Sequence, residues 1–133
     1  MASPTSRQKA MLKKQGVSLA YLFGSQVNGL AGSLSDADIG VVFADVEKMD
    51  RHSLQTYDAL HKLFSDMVPE GIEADIVFLD RAPITVQAKA ATGQLLYARS
   101  PKDHYHYREQ TMRRHADAQH FIDRRTNAIF ARI

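Results

Sequence analysis

Residues 21–43 read YLFGSQVNGLAGSLSDADIGVVF. The segment begins as an apolar strand and breaks into glycines, serines and an asparagine. It then resumes as a second apolar strand led by Asp36 and Asp38. Carboxylates at the mouth of a buried strand cost folding free energy unless they are solvated, paired or bound to a cation. Alternate residues of a strand share one face, so Asp36 and Asp38 are expected to converge. Two carboxylates that close repel each other, and one is pushed toward its protonated form unless something positive lies between them. Mg²⁺ answers that need, because it prefers carboxylate oxygens and takes substrate phosphates as further ligands.

A third carboxylate, Asp75, opens the apolar run ADIVFL at residues 74–79. If that run lies beside residues 38–44, all three acids meet at one end of a sheet. Three acids on two strands can hold two metal ions, one activating an attacking oxygen and one bridging phosphates. Upstream, Gly24 and Ser25 follow the first strand directly. Glycine lets the backbone turn and approach an anion, and backbone N–H groups with a serine hydroxyl can cradle a phosphate. A phosphate cradle next to metal ligands is the equipment for phosphoryl or nucleotidyl transfer, where catalysis is mostly positioning and charge neutralisation. The stretch is not a Walker loop. Gly24 and Gly29 have the spacing of its glycines, but Leu30-Ala31 stands where the lysine and hydroxyl residue are needed.

The rest of the chain reads as alternating elements. A short basic helix is expected over residues 6–15, stopped by Gly16. Residues 17–23 form a buried strand, residues 24–35 a turn-rich connection and residues 38–44 a second buried strand. Apolar positions three and four apart predict one helix over residues 50–67, ended by Pro69-Glu70-Gly71. A third strand follows at 74–79, then a helix from Pro83 to Ala91 stopped by Gly93, with Asp80 expected to cap it. Residues 94–99 fit a short edge strand, and a long helix is expected over residues 102–132. This order predicts an α/β fold with a small mixed sheet, largely covered by helices, in one domain spanning residues 1–133.

Composition narrows the class. The 44% hydrophobic and 24% charged content is that of an ordinary globular chain. There is no cysteine, which excludes disulfides and thiolate metal sites. No run approaches the roughly 18 apolar residues of a membrane span, and the N-terminus lacks the apolar core of a signal peptide, so a cytoplasmic protein is expected and no membrane partner. The net charge of +2 hides a basic N-terminal segment, an acidic middle and a basic C-terminal segment, 99–133, in which eight Lys and Arg face four acids. Nucleic-acid binding is not expected, because acids are interspersed and no aromatic stacking motif stands out. His104, His106, His115 and His120 do not have the i, i+4 spacing of a helical metal site and read as surface or partner-facing residues. The apolar positions of the last helix, with Arg113, Arg114, Arg124 and Arg125 between them, fit either packing on the sheet or a partner-docking surface.

Gly24-Ser25, ten residues and then Asp36-Ala37-Asp38 resembles the GS-x10-DxD signature of the DNA polymerase β nucleotidyltransferase superfamily. Ser35, Gly29, the run IGVVF and the later Asp75 match the same pattern. The short chain and the tail LLYARSPKDHYHYREQ resemble the minimal nucleotidyltransferases, the antitoxin halves of HEPN/MNT toxin–antitoxin pairs, over nearly the whole length. The resemblance implies a nucleotidyltransferase fold and an antitoxin that transfers AMP from ATP to a tyrosine of a HEPN toxin, with which it would form a hetero-oligomeric complex. It implies that Asp36 and Asp38 hold two Mg²⁺ ions and the triphosphate. Asp75 would complete the metal site and help deprotonate the acceptor, and Gly24 and Ser25 would cradle the terminal phosphates. One departure is Asn28, which stands where the family often has arginine; a neutral amide cannot replace a guanidinium facing phosphate. Two other readings stay open: an antitoxin that neutralises its toxin by binding alone, and a small-molecule nucleotidyltransferase of the antibiotic-modifying kind.

Overall fold

The computed structural model describes residues 3–24 and 36–131. Helix α1 spans Ser6–Lys14. The Thr5 hydroxyl oxygen accepts a hydrogen bond from the Gln8 N–H, and the Gln8 side-chain oxygen accepts one from the Thr5 N–H, so both halves of a capping box are closed. Gly16, at φ +80°, ends the helix and turns the chain into strand β1, Val17–Phe23. Strand β2 is Ala37–Phe43, β3 is Ala74–Phe78 and β4 is Gln94–Ala98. Helices α2, Val46–Arg51, and α3, Ser53–Ser65, lie between β2 and β3. Helix α4, Ile84–Ala91, precedes β4, and α5, Pro101–Ala131, closes the order.

The sheet runs β3-β2-β1-β4, with β1 antiparallel to both β2 and β4 and β2 parallel to β3. It is the small mixed sheet that the sequence predicts. All seven residues of β1 are buried, which is why the segment reads as an unbroken apolar run rather than an alternating one. Ala20 and Leu22 face a core shared with Leu12 of α1 and Leu60, Leu63 and Phe64 of α3. Leu19, Tyr21 and Phe23 face a second core with Leu79 and Ala90, against which Val86 of α4 and Tyr107 of α5 pack. Burying each such side chain contributes roughly 1.5–3 kcal/mol. Gly40 leaves room for Leu79, whose Cδ1 would lie 2.8 Å from a Cβ at that position, so β2 can take the turn after β3 against its face.

Two expectations are corrected. The single helix over residues 50–67 is two helices, broken at His52, whose backbone at φ −127° and ψ 27° is not helical. The first begins early because the Asp45 side chain accepts a hydrogen bond from the Lys48 N–H and caps it. Asp80 does not cap α4, which has no side-chain cap. Its Oδ2 accepts a hydrogen bond from the Phe43 N–H at 3.0 Å. The register of β2 on β3 runs from Ala37↔Ala74 to Val41↔Phe78, so Phe43 lies past the last strand partner and its donor is met by a carboxylate instead. Among the described residues no helix is long and apolar enough to cross a membrane.

Candidate active site

The parallel register of β2 on β3 places Asp38 directly beside Asp75. Asp36 stands one position before β2 and is exposed, so the alternation of a strand does not govern its direction. The acids thus come to one end of the sheet as a neighbouring pair, with Asp36 beside them. Among the described residues no three His, Asp or Glu side chains gather tightly enough to form a metal cage by themselves.

Gly24 ends β1 at the same edge, where Phe23 pairs with Asp38. Its φ of +82° is a left-handed conformation that favours glycine. A Cβ built there would lie 2.5 Å from Asp38 Oδ2, so the bare backbone of Gly24 and the Asp38 carboxylate share one space. Ser25, Asn28 and the rest of the connection to Ser35 lie outside the described residues.

Half-buried Asp38 is pushed above the ordinary aspartate value, first by burial, then by the charges of Asp75 and Asp36. The cluster therefore favours whatever brings positive charge to it, a proton or a cation. A cavity of about 480 Å³ walled by Gly16, Phe43, Met49 and His52 lies at the opposite end of the sheet, away from these acids.

His104, expected at the surface, is drawn inward. Its Nδ1 lies 2.8 Å from the hydroxyl of fully buried Tyr21 and forms a hydrogen bond with it. Burial and then the Arg108 charge hold the imidazole below its ordinary value, and burial pushes the Tyr21 phenol well up. The signal for this contact was available in the spacing: His104, Tyr107 and Thr111, three and four apart, mark the face of α5 that meets the sheet.

The model of the family described as polymerase beta, nucleotidyltransferase matches residues 7–102. The chain belongs to the polymerase beta nucleotidyltransferase family. No curated protein matches the chain. Among solved structures, this nucleotidyltransferase is similar to a crystal structure of a toxin–antitoxin with AMP-PNP, at 24% identity and a TM-score of 0.63, over 94% of this chain and 96% of that one. It is also similar to a chain of the toxin–antitoxin MntA-HepT, at 22% identity and a TM-score of 0.54, over 94% and 96%. A third likeness is to a structure of a tri-AMPylated HEPN toxin of Shewanella oneidensis in complex with MNT antitoxin, at 23% identity and a TM-score of 0.56, over 90% and 87%. These likenesses extend the nucleotidyltransferase fold over α5 as well as the sheet.

Proposed function

We propose that this nucleotidyltransferase is the antitoxin of a HEPN/MNT pair and transfers AMP from ATP to a tyrosine of its HEPN toxin. The observation that carries the reading is the Asp38–Asp75 pair set against the bare backbone of Gly24. Near full-length likeness to chains solved in toxin–antitoxin complexes, one with AMP-PNP and one with an AMPylated HEPN toxin, supports the partner and the nucleotide.

The donor set suits Mg²⁺, since the acids offer only hard oxygen ligands and repel one another without a cation. Asp36, Asp38 and Asp75 would hold it, with triphosphate oxygens as further ligands. Bound Mg²⁺ supplies charge neutralisation for the triphosphate and for the attacking oxygen. Gly24 and Ser25 cradle the terminal phosphates. The tyrosine hydroxyl oxygen forms a bond to the α-phosphorus, the bond from that phosphorus to the bridging oxygen breaks, pyrophosphate leaves, and the hydroxyl proton passes to Asp75. The work of the chain is in-line positioning of acceptor and leaving group. Within this reading the chain acts as one domain in the cytoplasm.

The test is the intact mass of the HEPN toxin after incubation with the chain, ATP and Mg²⁺. Gain in AMP-sized steps, absent with Asp36→Asn/Asp38→Asn, is expected. A tight complex without any gain would leave an antitoxin that acts by binding alone. Modification of a small molecule instead of the toxin would make the chain an enzyme of the antibiotic-modifying kind.

A further inference from the structure

The cavity of about 480 Å³ at the end of the sheet away from the acids is bounded by the end of α1, the end of β2, and α2 with the first turn of α3. Gly16 turns the chain from α1 into β1 at φ +80°, and its carbonyl accepts the Ala44 N–H as β2 ends. Helix α2 then starts under the Asp45 cap, and the chain breaks at His52 before α3.

The lining changes chemistry with depth. The walls are apolar: Phe43 and Met49 are buried and belong to the core. Between them stands Thr56, at 7% exposed the one polar side chain that is buried among the described lining residues. No hydrogen bond among the described residues engages its hydroxyl, and its oxygen is not sealed inside the protein, as the unpartnered Tyr107 hydroxyl is. The Thr56 hydroxyl therefore faces the cavity. Buried polar groups are normally hydrogen-bonded, so this one is available to an occupant. The rim is basic. Lys14 and Lys48 border the opening and are exposed, and among the described residues neither takes part in an ion pair. The acid at the rim, Asp45, turns one oxygen to the Lys48 N–H as the cap of α2.

A volume of a few hundred Å³ with apolar walls and a few converging polar groups is the usual form of a small-molecule site. Two lysines at its mouth suit a phosphate, which an ammonium binds as a point charge. We infer that the cavity binds a small organic phosphate of the nucleoside monophosphate kind. Its flat ring lies against Phe43 and Met49, a ring nitrogen or oxygen bonds the Thr56 hydroxyl, and its phosphate stands between Lys14 and Lys48. Asp38 and Phe43 lie toward opposite ends of β2, about 17 Å apart at roughly 3.3 Å per residue, so the occupant does not touch the carboxylates. The site is independent of the function proposed above and holds whether or not the acids transfer AMP.

The test records amide NMR spectra of the whole chain with AMP in EDTA buffer, where no cation offsets the charge of the acid end. AMP is expected to shift the amides of Gly16, Ala44, Lys48 and Thr56 saturably and to leave those of Gly24 and Ile39 in place. Adenosine and inorganic phosphate, each filling one half of the site, are expected to bind at least about tenfold more weakly than AMP. Lys14→Glu/Lys48→Glu alters exposed side chains, so it should melt near wild type and weaken AMP about tenfold or more. Thr56→Val keeps the side-chain shape and removes a hydroxyl without a partner in the fold. It should melt at or above wild type and weaken AMP about threefold or more. Shifts that do not saturate in the millimolar range, or that centre on Gly24 and Ile39, would overturn the site. AMP binding unchanged in the lysine variant would also overturn it. Inorganic phosphate binding as tightly as AMP would overturn the organic ligand in favour of a bare anion, and adenosine binding as tightly as AMP would overturn the phosphate.

Discussion

The carboxylate of Asp38 fills the space that a side chain on Gly24 would need. A Cβ on Gly24 would lie 2.5 Å from Asp38 Oδ2, and the Gly24 backbone is left-handed at φ +82°. The two residues are fourteen apart in sequence and sit at the two ends of the connection between β1 and β2.

Gly24→Ala is therefore expected to displace Asp38 while the sheet stays folded. The left-handed backbone alone costs an alanine about 1–2 kcal/mol. A shift of about 1 Å in a reacting group can lower turnover about a hundredfold. Transfer assays set beside a circular dichroism melt check this. Activity near wild type would show that Asp38 need not stay where it is.

Asp38→Asn should make the ligand-free chain more stable and less active. The half-buried carboxylate is pushed up by burial, Asp75 and Asp36, so its ionised form costs folding free energy at neutral pH. After discounting for solvent screening, removing the charge should stabilise by about 0.5 kcal/mol. The gain should shrink with added salt. Thermal melts of the two chains at low and high salt read the difference. A lower melting point for Asp38→Asn would show that the carboxylate contributes to the fold rather than opposing it.

Asp80→Ala should destabilise by about 1–3 kcal/mol, because it strips the Phe43 N–H of its acceptor. Asp80→Asn keeps an acceptor and removes a carboxylate that burial pushes up, so it should be near neutral or stabilising. The sign of the wild-type dependence follows. A raised folded value means that the folded state holds the proton more tightly, so this group favours the fold increasingly as pH falls from neutral through its raised value. Urea melts of both variants separate the hydrogen bond from the charge.

His104 should give the opposite slope. Its folded value is held below 6.5, first by burial and then by Arg108, so the unfolded chain binds this proton more readily. Its contribution is full above pH 6.5 and is lost as pH falls from there through the depressed folded value. An NMR titration of the His104 ring should show a midpoint below 6.5, moved upward by Arg108→Gln. A midpoint above 6.5 would contradict the placement of the ring against Tyr21.

The four strands were legible to within about a residue because each apolar run is bounded by glycine, aspartate or a turn and covered on one or both faces. The register that sets Asp38 beside Asp75 was legible only as a condition, since nothing local states which strands pair. The break at His52 was not legible, because the apolar spacing runs on across it while the Asp45 cap starts the first helix early. Asp80 was misread because its partner, Phe43, is thirty-seven residues away and is chosen by where β3 ends.

The central claim is that Asp38 and Asp75 act together on one cation and one nucleotide. The most direct measurement is anomalous diffraction from crystals of the chain grown with Mn²⁺ and a non-hydrolysable ATP analogue. A manganese peak within about 2.5 Å of carboxylate oxygens of both Asp38 and Asp75, with triphosphate oxygens in the same shell, is the predicted result. Ordered nucleotide with no manganese at this pair, or manganese held at other residues alone, would contradict it.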